Sequence, residues 1–503
     1  MDVAADPVRR PPRGGTFSDA RSAAAAGRRR AVVAVALLAA YVAQLAVAAT
    51  RHEPWFDEAQ AWLLARDSGV WELLTQRLRY EGTPGLWHLL LVVPARLGLP
   101  YATAHLIALV AATLAAVLLV RSSPFPRWLV GLLLFSFVLG YQYAVVARSY
   151  VLVAPLLFAL AAIYPRKATA VWPFVGLLAL LANVSAHGTL IAACIAAVHL
   201  LDVVRSRNAL SRRALAHHAA ALASLAVAGL LVVAQLWVPD DHLPRAGYVP
   251  PGGADLVAVM ATTANRALAD HGLLTWAAIV VSAWWFARRG TLLVWLLPTV
   301  GLLAFFARVY QSAWHDGLLV LVWVFALWVS FTAAPMAGRL DRGLRTALLA
   351  VTAAVLAVQV TWWAQTWYHD VTQPYSGSPA LAAYLDELDL DRRVVWGREF
   401  HSLGVLPYFP ANIYDNLHGG DARAYLSWQR PYPLVDDDEA IREALPDLVV
   451  WGVKFPGHEH VTVLDTYDVE AFFPGEIFYK DRVLEQDAFY LLRRKDPGQG
   501  AGR

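Results

Sequence analysis

The sequence predicts a polytopic α-helical membrane protein with a small α/β domain at its C-terminal end. Of its 503 residues 58% are hydrophobic and only 16% are charged, and the mean hydropathy of +0.45 lies outside the range of soluble globular chains. Apolar stretches of spanning or near-spanning length recur between residues 31 and 366. Beyond residue 367 the composition turns to that of a soluble unit of about 130 residues. The net charge of +3 gives nucleic-acid binding no electrostatic support. The lone Cys194 lies inside an apolar run, which excludes an internal disulfide and metal sites built from several cysteines.

Residues 1–30 hold seven arginines against Asp2, Asp6 and Asp19, among Pro, Gly, Ser and Ala. They read as a disordered basic tail kept in the cytoplasm, and no cleavable signal peptide is visible. Apolar segments follow at 31–49, 101–120, 127–147, 150–164, 168–185, 187–204, 216–238, 273–287, 291–307, 316–335 and 346–366, with a shorter one at 84–98. Charge decides whether the short segment crosses, because each crossing reverses the side of every later loop. If it does not cross, the loops with Arg121 and Arg127, Arg166 and Lys167, Arg205 to Arg213, Arg288 and Arg289, and Arg339 to Arg345 all become cytoplasmic. The expectation is therefore about eleven spans, N-terminus inside and C-terminus outside, with 84–98 as a re-entrant or surface helix.

That topology sets a membrane module at 31–366 with an outer loop at 50–100, an outer α/β domain at 367–495 and a disordered tail at 496–503. In the outer domain, 378–389 reads as a helix, and Arg393 to Gly397, Asp447 to Gly452 and Ala488 to Arg493 read as short buried strands. Most conspicuous polar and aromatic residues fall on the outer side, which makes that face the expected place of function.

The most informative stretch is Arg51-His52-Glu53-Pro54-Trp55-Phe56-Asp57-Glu58, just after the first span. Two adjacent carboxylates behind an aromatic pair also fit a plain helix start, with Pro54 in the first turn and the acids complementing the dipole. Arg148 lies in Tyr143-Ala144-Val145-Val146-Ala147-Arg148-Ser149-Tyr150, between two apolar segments, where an arginine is costly unless it is paired or snorkels to headgroups. His187 falls at another outer junction, and Arg308-Val309-Tyr310-Gln311-Ser312-Ala313-Trp314-His315-Asp316 at a third. A packed histidine and an interfacial cap are the plain readings of these two. Glu81 and His88 flank Pro84 at the start of the short apolar segment.

An Asp-Glu pair in the first outer loop, after one span and before many more, resembles the motif of protein O-mannosyltransferases and the related aminoarabinose and bacterial mannosyl transferases. These are polyprenyl-phosphate-sugar-dependent glycosyltransferases of the GT-C superfamily. The resemblance covers the architecture, and few motifs are sharp. It implies an inverting transfer from a polyprenyl-phosphate sugar to a hydroxyl on a protein, lipid or glycan. Asp57 would be the general base, and Glu58 would position it or the acceptor. Arg148, Tyr150, His187, Arg308, Tyr310 and His315 would meet the lipid phosphate, whose charge grows as the bond breaks. The sequence departs from the pattern at Trp314, where an arginine is usual, and before Pro84, where a histidine is usual.

No metal motif stands out. Asp57, His187, His315 and Asp316 are residues of metal-binding type at a spacing that specifies nothing, so no cofactor is assigned and a divalent ion stays open. His458-Glu459-His460 reads as a polar loop. The expected place is a bacterial plasma membrane, with membrane lipids as surroundings and no nucleic acid as partner. Two rival functions are a transporter or flippase, which would need ionisable residues at mid-bilayer, and a non-catalytic envelope assembly factor.

Overall fold

The computed structural model describes residues 17–243, 253–310, 312–333, 338–454 and 461–496. The His458-Glu459-His460 tract, the tail after residue 496 and most of the N-terminal tail lie outside them.

The first helix, α1 (Phe17–Ala49), starts earlier than the composition suggests. Residues 17–30, expected to lack structure, are helical because an alanine-rich run and three arginines, all good helix formers, continue the turn of the apolar span. The segment after α1 then folds as α2 (Phe56–Asp67), α3 (Val70–Thr75) and α4 (Leu86–Arg96). Next come α5 (Thr103–Ser122), α6 (Arg127–Leu134), α7 (Val153–Ile163), α8 (Val171–Ala182), α9 (Ala186–Ser206) and α10 (Arg212–Leu236). They are followed by α11 (Gly253–Leu268), α12 (Gly272–Arg289), α13 (Leu292–Arg308), α14 (Gly317–Thr332) and α15 (Arg339–Thr372). Among the described residues seven helical segments are long and apolar enough to cross a membrane, and α11 with α12 adds an eighth if that pair, bent by 93°, is one span. The chain is a helical membrane protein.

The helices differ in their surroundings. α14 is apolar on every side and 89% of its most apolar window is buried, so it is the centre of the bundle, whereas the windows of α1 and α10 are 17% buried and face outward. Serine hydroxyls satisfy the indoles in this core: Trp285 Nε1–H donates to Ser330 Oγ at 2.8 Å and Trp323 Nε1–H to Ser282 Oγ at 2.9 Å.

The apolar stretch 127–147 is not one helix. α6 stops at Leu134, a π-helical turn occupies Val138–Gln142, and the chain then runs irregularly to Arg148. Gly140 lets α15 approach, since a Cβ there would meet the Trp363 ring at 2.7 Å. The carbonyls freed by the break are met by side chains: Tyr41 donates to Leu139 O at 2.6 Å and Gln44 to Gly140 O at 3.2 Å. Irregular backbone among apolar helices survives only with such partners.

After α15 come α16 (Ser378–Asp386), β1 (Val395–Arg398), α17 (Asp438–Ala444), β2 (Leu448–Val453), β3 (Tyr467–Phe473), β4 (Glu476–Tyr479), β5 (Arg482–Gln486) and β6 (Ala488–Arg494). The four-stranded sheet has the order β1-β2-β6-β3, parallel between β1 and β2 and antiparallel elsewhere. Its apolar side does not close on itself. Leu381, Leu403, Leu448 and Phe489 share one core with Phe56, Trp62, Trp87 and Tyr101, so the C-terminal segment and the α2–α4 segment bury each other. The β4–β5 hairpin reaches back to the bundle, where the Tyr479 hydroxyl donates to Ala313 O at 2.7 Å and the Lys480 ammonium sits 4.3 Å over the Trp362 ring.

These contacts define the two ends of the bundle. The end of α1, the start of α5 and the end of α15 meet through His52, His105 and Asp370. The start of α9 meets the end of α13 and the start of α14 through His187, Phe306 and His315. At the opposite ends of the same helices, Lys167 pairs with Asp202 at 2.6 Å and Arg288 with Asp341 at 2.8 Å.

Candidate functional site

Asp57 and Glu58 occupy the first turn of α2, and successive helical residues point about 100° apart. Asp57 therefore looks outward while Glu58 looks into the protein. Both grip the same irregular segment. The Asp57 carboxylate pairs with the Arg148 guanidinium at 2.9 Å, and Glu58 Oε1 accepts the Ala147 backbone N–H at 2.6 Å. Two consecutive acids thus hold two consecutive residues far along the chain, with Glu58 and Ala147 89 positions apart.

The Asp57–Arg148 pair is partly open, with side-chain exposures of 31% and 23%, and it faces a polar pocket. Gln60, Glu81, His88, Tyr150 and Trp428 share its wall. Gln60 links three segments: its amide N–H donates to Glu81 at 2.8 Å and to Leu426 O at 2.7 Å, and its carbonyl accepts the Leu426 N–H at 3.0 Å. The C-terminal segment thereby holds Trp428 at the wall of the pocket.

Tyr150 joins the pocket to a second group. The Arg148 guanidinium lies 5.5 Å from its ring, its hydroxyl is 3.5 Å from His187 Nδ1, and its ring centroid is 5.3 Å from that of His315. The His187 and His315 rings are 4.4 Å apart, and Tyr310 packs edge-on to His315 at 5.5 Å. Asp57, Arg148, Tyr150, His187, His315 and Tyr310 therefore form one continuous chain of contacts. Arg308 is exposed at the end of α13 and does not line the pocket. Asp316 is an ion-pair partner of Arg266. Arg77 is bound to Glu72, and Arg79 donates to Trp237 O at 2.9 Å.

Behind Asp57 lies a knot that the sequence did not disclose. Glu58 is fully buried, and both its oxygens face imidazoles: His52 Nε2 and His105 Nε2, each at 3.1 Å. The other His52 nitrogen, Nδ1, is 3.1 Å from both oxygens of buried Asp370. Burial alone would lower the His52 pKa, but Asp370 and Glu58 outweigh it and lift it to about 10. Burial would likewise raise Glu58, yet His52 and His105 hold it well below the usual carboxylate range. Glu58, expected beside Asp57 in the chemistry, is thus a buried anchor that faces away from the pocket. His52 and Glu58 are six residues apart, and His105 and Asp370 sit at the ends of apolar helices, so no local spacing marks the group. Among the described residues His52, Glu58 and His105 are also the group whose ligating atoms, all within 4.8 Å of one another, suit a metal ion.

No protein-family model matches the chain, and neither does any curated protein.

Proposed function

We propose that the chain is a membrane glycosyltransferase that moves a sugar from a polyprenyl-phosphate donor to a hydroxyl acceptor on the extracytoplasmic face, as part of the GT-C superfamily. The observation that carries this reading is the Asp57–Arg148 pair at the wall of a polar pocket. Transfer from a lipid phosphate needs a base for the acceptor's proton and a fixed cation for the leaving phosphate. Here the two are in contact. A phosphate entering the pocket draws the guanidinium, which binds phosphate oxygens as well as carboxylates. Asp57 is then released to take the proton as the acceptor oxygen attacks the anomeric carbon and the lipid phosphate departs. Tyr150 extends the pocket toward His187 and His315, which supply further donors to the phosphate.

About eleven crossings belong to this reading. Alongside the longer spans, the shorter apolar helices α8 and α13 and the broken segment from Arg127 would complete that number. The arginine-rich ends would face the cytoplasm and the pocket the outside. α4, apolar but short, lies within the outer loop, with Trp87 in the core shared with the C-terminal segment. The test is incubation of membranes containing the chain with labelled polyprenyl-phosphate sugars. Label is expected in a new product, and its absence with every such donor overturns the proposal.

A further inference from the structure

The buried knot behind Asp57 is not used by the transfer reading, and its composition asks for a cation. His52, Glu58, His105 and Asp370 are all buried and come from three parts of the chain: the connection from α1 into the first turn of α2, the start of α5 and the last turns of α15. Asp370 takes the His52 Nδ1–H. A neutral His52 in that tautomer turns a bare lone pair on Nε2 toward Glu58 Oε2 at 3.1 Å, where the carboxylate also has only lone pairs. Such an approach holds only with a proton or a metal ion between the two atoms. Protons on both His52 and His105 would balance the two carboxylates, and one divalent ion does the same with both imidazoles neutral.

We propose that His52 Nε2, Glu58 and His105 Nε2 form a zinc site, with Asp370 orienting His52 from behind. Two imidazoles and a carboxylate are a donor set that zinc takes, and a carboxylate on the far nitrogen of a ligating histidine is the usual support for it. Calcium and magnesium prefer oxygen donors throughout. The spacing also fits, since two ligands about 2.0–2.1 Å from one zinc ion lie about 3.3 Å apart at a tetrahedral angle. Glu58 Oε2 is 3.1 Å from His52 Nε2 and Oε1 is 3.1 Å from His105 Nε2, close to that spacing for a carboxylate that meets the ion with both oxygens. The ion would tie the start of α2 to the start of α5 directly behind Ala147 and Arg148, with α15 held through Asp370, and its role is structural.

The inference does not depend on the transfer reading, and its readout is metal content. The full chain, purified in detergent after growth with zinc, is expected to carry about one zinc ion that survives desalting. X-ray absorption at the zinc edge is expected to show two imidazoles and oxygen donors. His105→Ala is expected to reduce bound zinc to traces. Only trace zinc in the wild-type chain after incubation with zinc chloride overturns the proposal. So does a zinc shell without imidazole, or a folded His105→Ala chain that keeps its full zinc. Should His105→Ala not accumulate, the wild-type metal content and absorption spectrum decide by themselves.

Discussion

Asp57 and Glu58 are neighbours in the chain, yet they occupy different media. Asp57 meets one arginine at the edge of a polar pocket, partly in contact with solvent. Glu58 meets two histidines and two backbone N–H groups, with no solvent contact. The difference shows how one dipeptide serves two purposes. An ion pair at a pocket wall can be opened by an incoming anion, because its partners are re-solvated as they part. A buried carboxylate with every lone pair engaged cannot let go without leaving charges stranded, so it is fit to hold backbone in place.

Three substitutions test that contrast. Asp57→Asn removes the base and keeps the size, and transfer of labelled sugar is expected to fall about a hundredfold to ten-thousandfold while the melting temperature in detergent stays unchanged. A loss of transfer accompanied by unfolding would erase the distinction between the two acids. Glu58→Ala breaks the buried knot from its centre, and a loss of about 3–5 kcal/mol is expected because the histidines and the Ala147 N–H lose their partner. Thermal or denaturant unfolding of the solubilised chain measures it, and unchanged stability would show that Glu58 anchors nothing. Arg148→Ala is expected to have the smallest effect, weakening donor capture about tenfold to a hundredfold, the worth of one or two charge-assisted hydrogen bonds. The donor KM reports it. A fall in kcat with unchanged KM would move Arg148 from binding the phosphate to another role.

Much of the pocket was legible from local signals. Asp57 follows an aromatic pair at the end of a span, and Arg148 interrupts an apolar run, so each is conspicuous for the cost of its surroundings. Tyr150 at the pocket wall, and His187, Tyr310 and His315 beyond it, stand at helix junctions. Gln60 and Trp428 were not legible, because a glutamine inside a helix and a tryptophan in a loop have plain explanations until the C-terminal segment is laid over the α2–α4 segment. The direction of Glu58 was illegible too, since α2 is apolar on more than one side and its periodicity does not reveal which acid turns inward.

By itself the sequence determined the solvent in which this protein folds. The length and apolarity of its helices settle burial in a membrane, because transfer free energy is summed along a contiguous segment. It also determined that strands would appear after the last long helix, where short apolar runs replace the long ones. Only the tertiary structure decided that the stretch from Arg127 would break at a π-turn, that the C-terminal sheet would share its core with the α2–α4 segment, and that His52, Glu58, His105 and Asp370 would meet. The physical reason is the same in each case. These outcomes depend on contacts between residues up to 318 positions apart, such as His52 with Asp370, and no local periodicity encodes the partner.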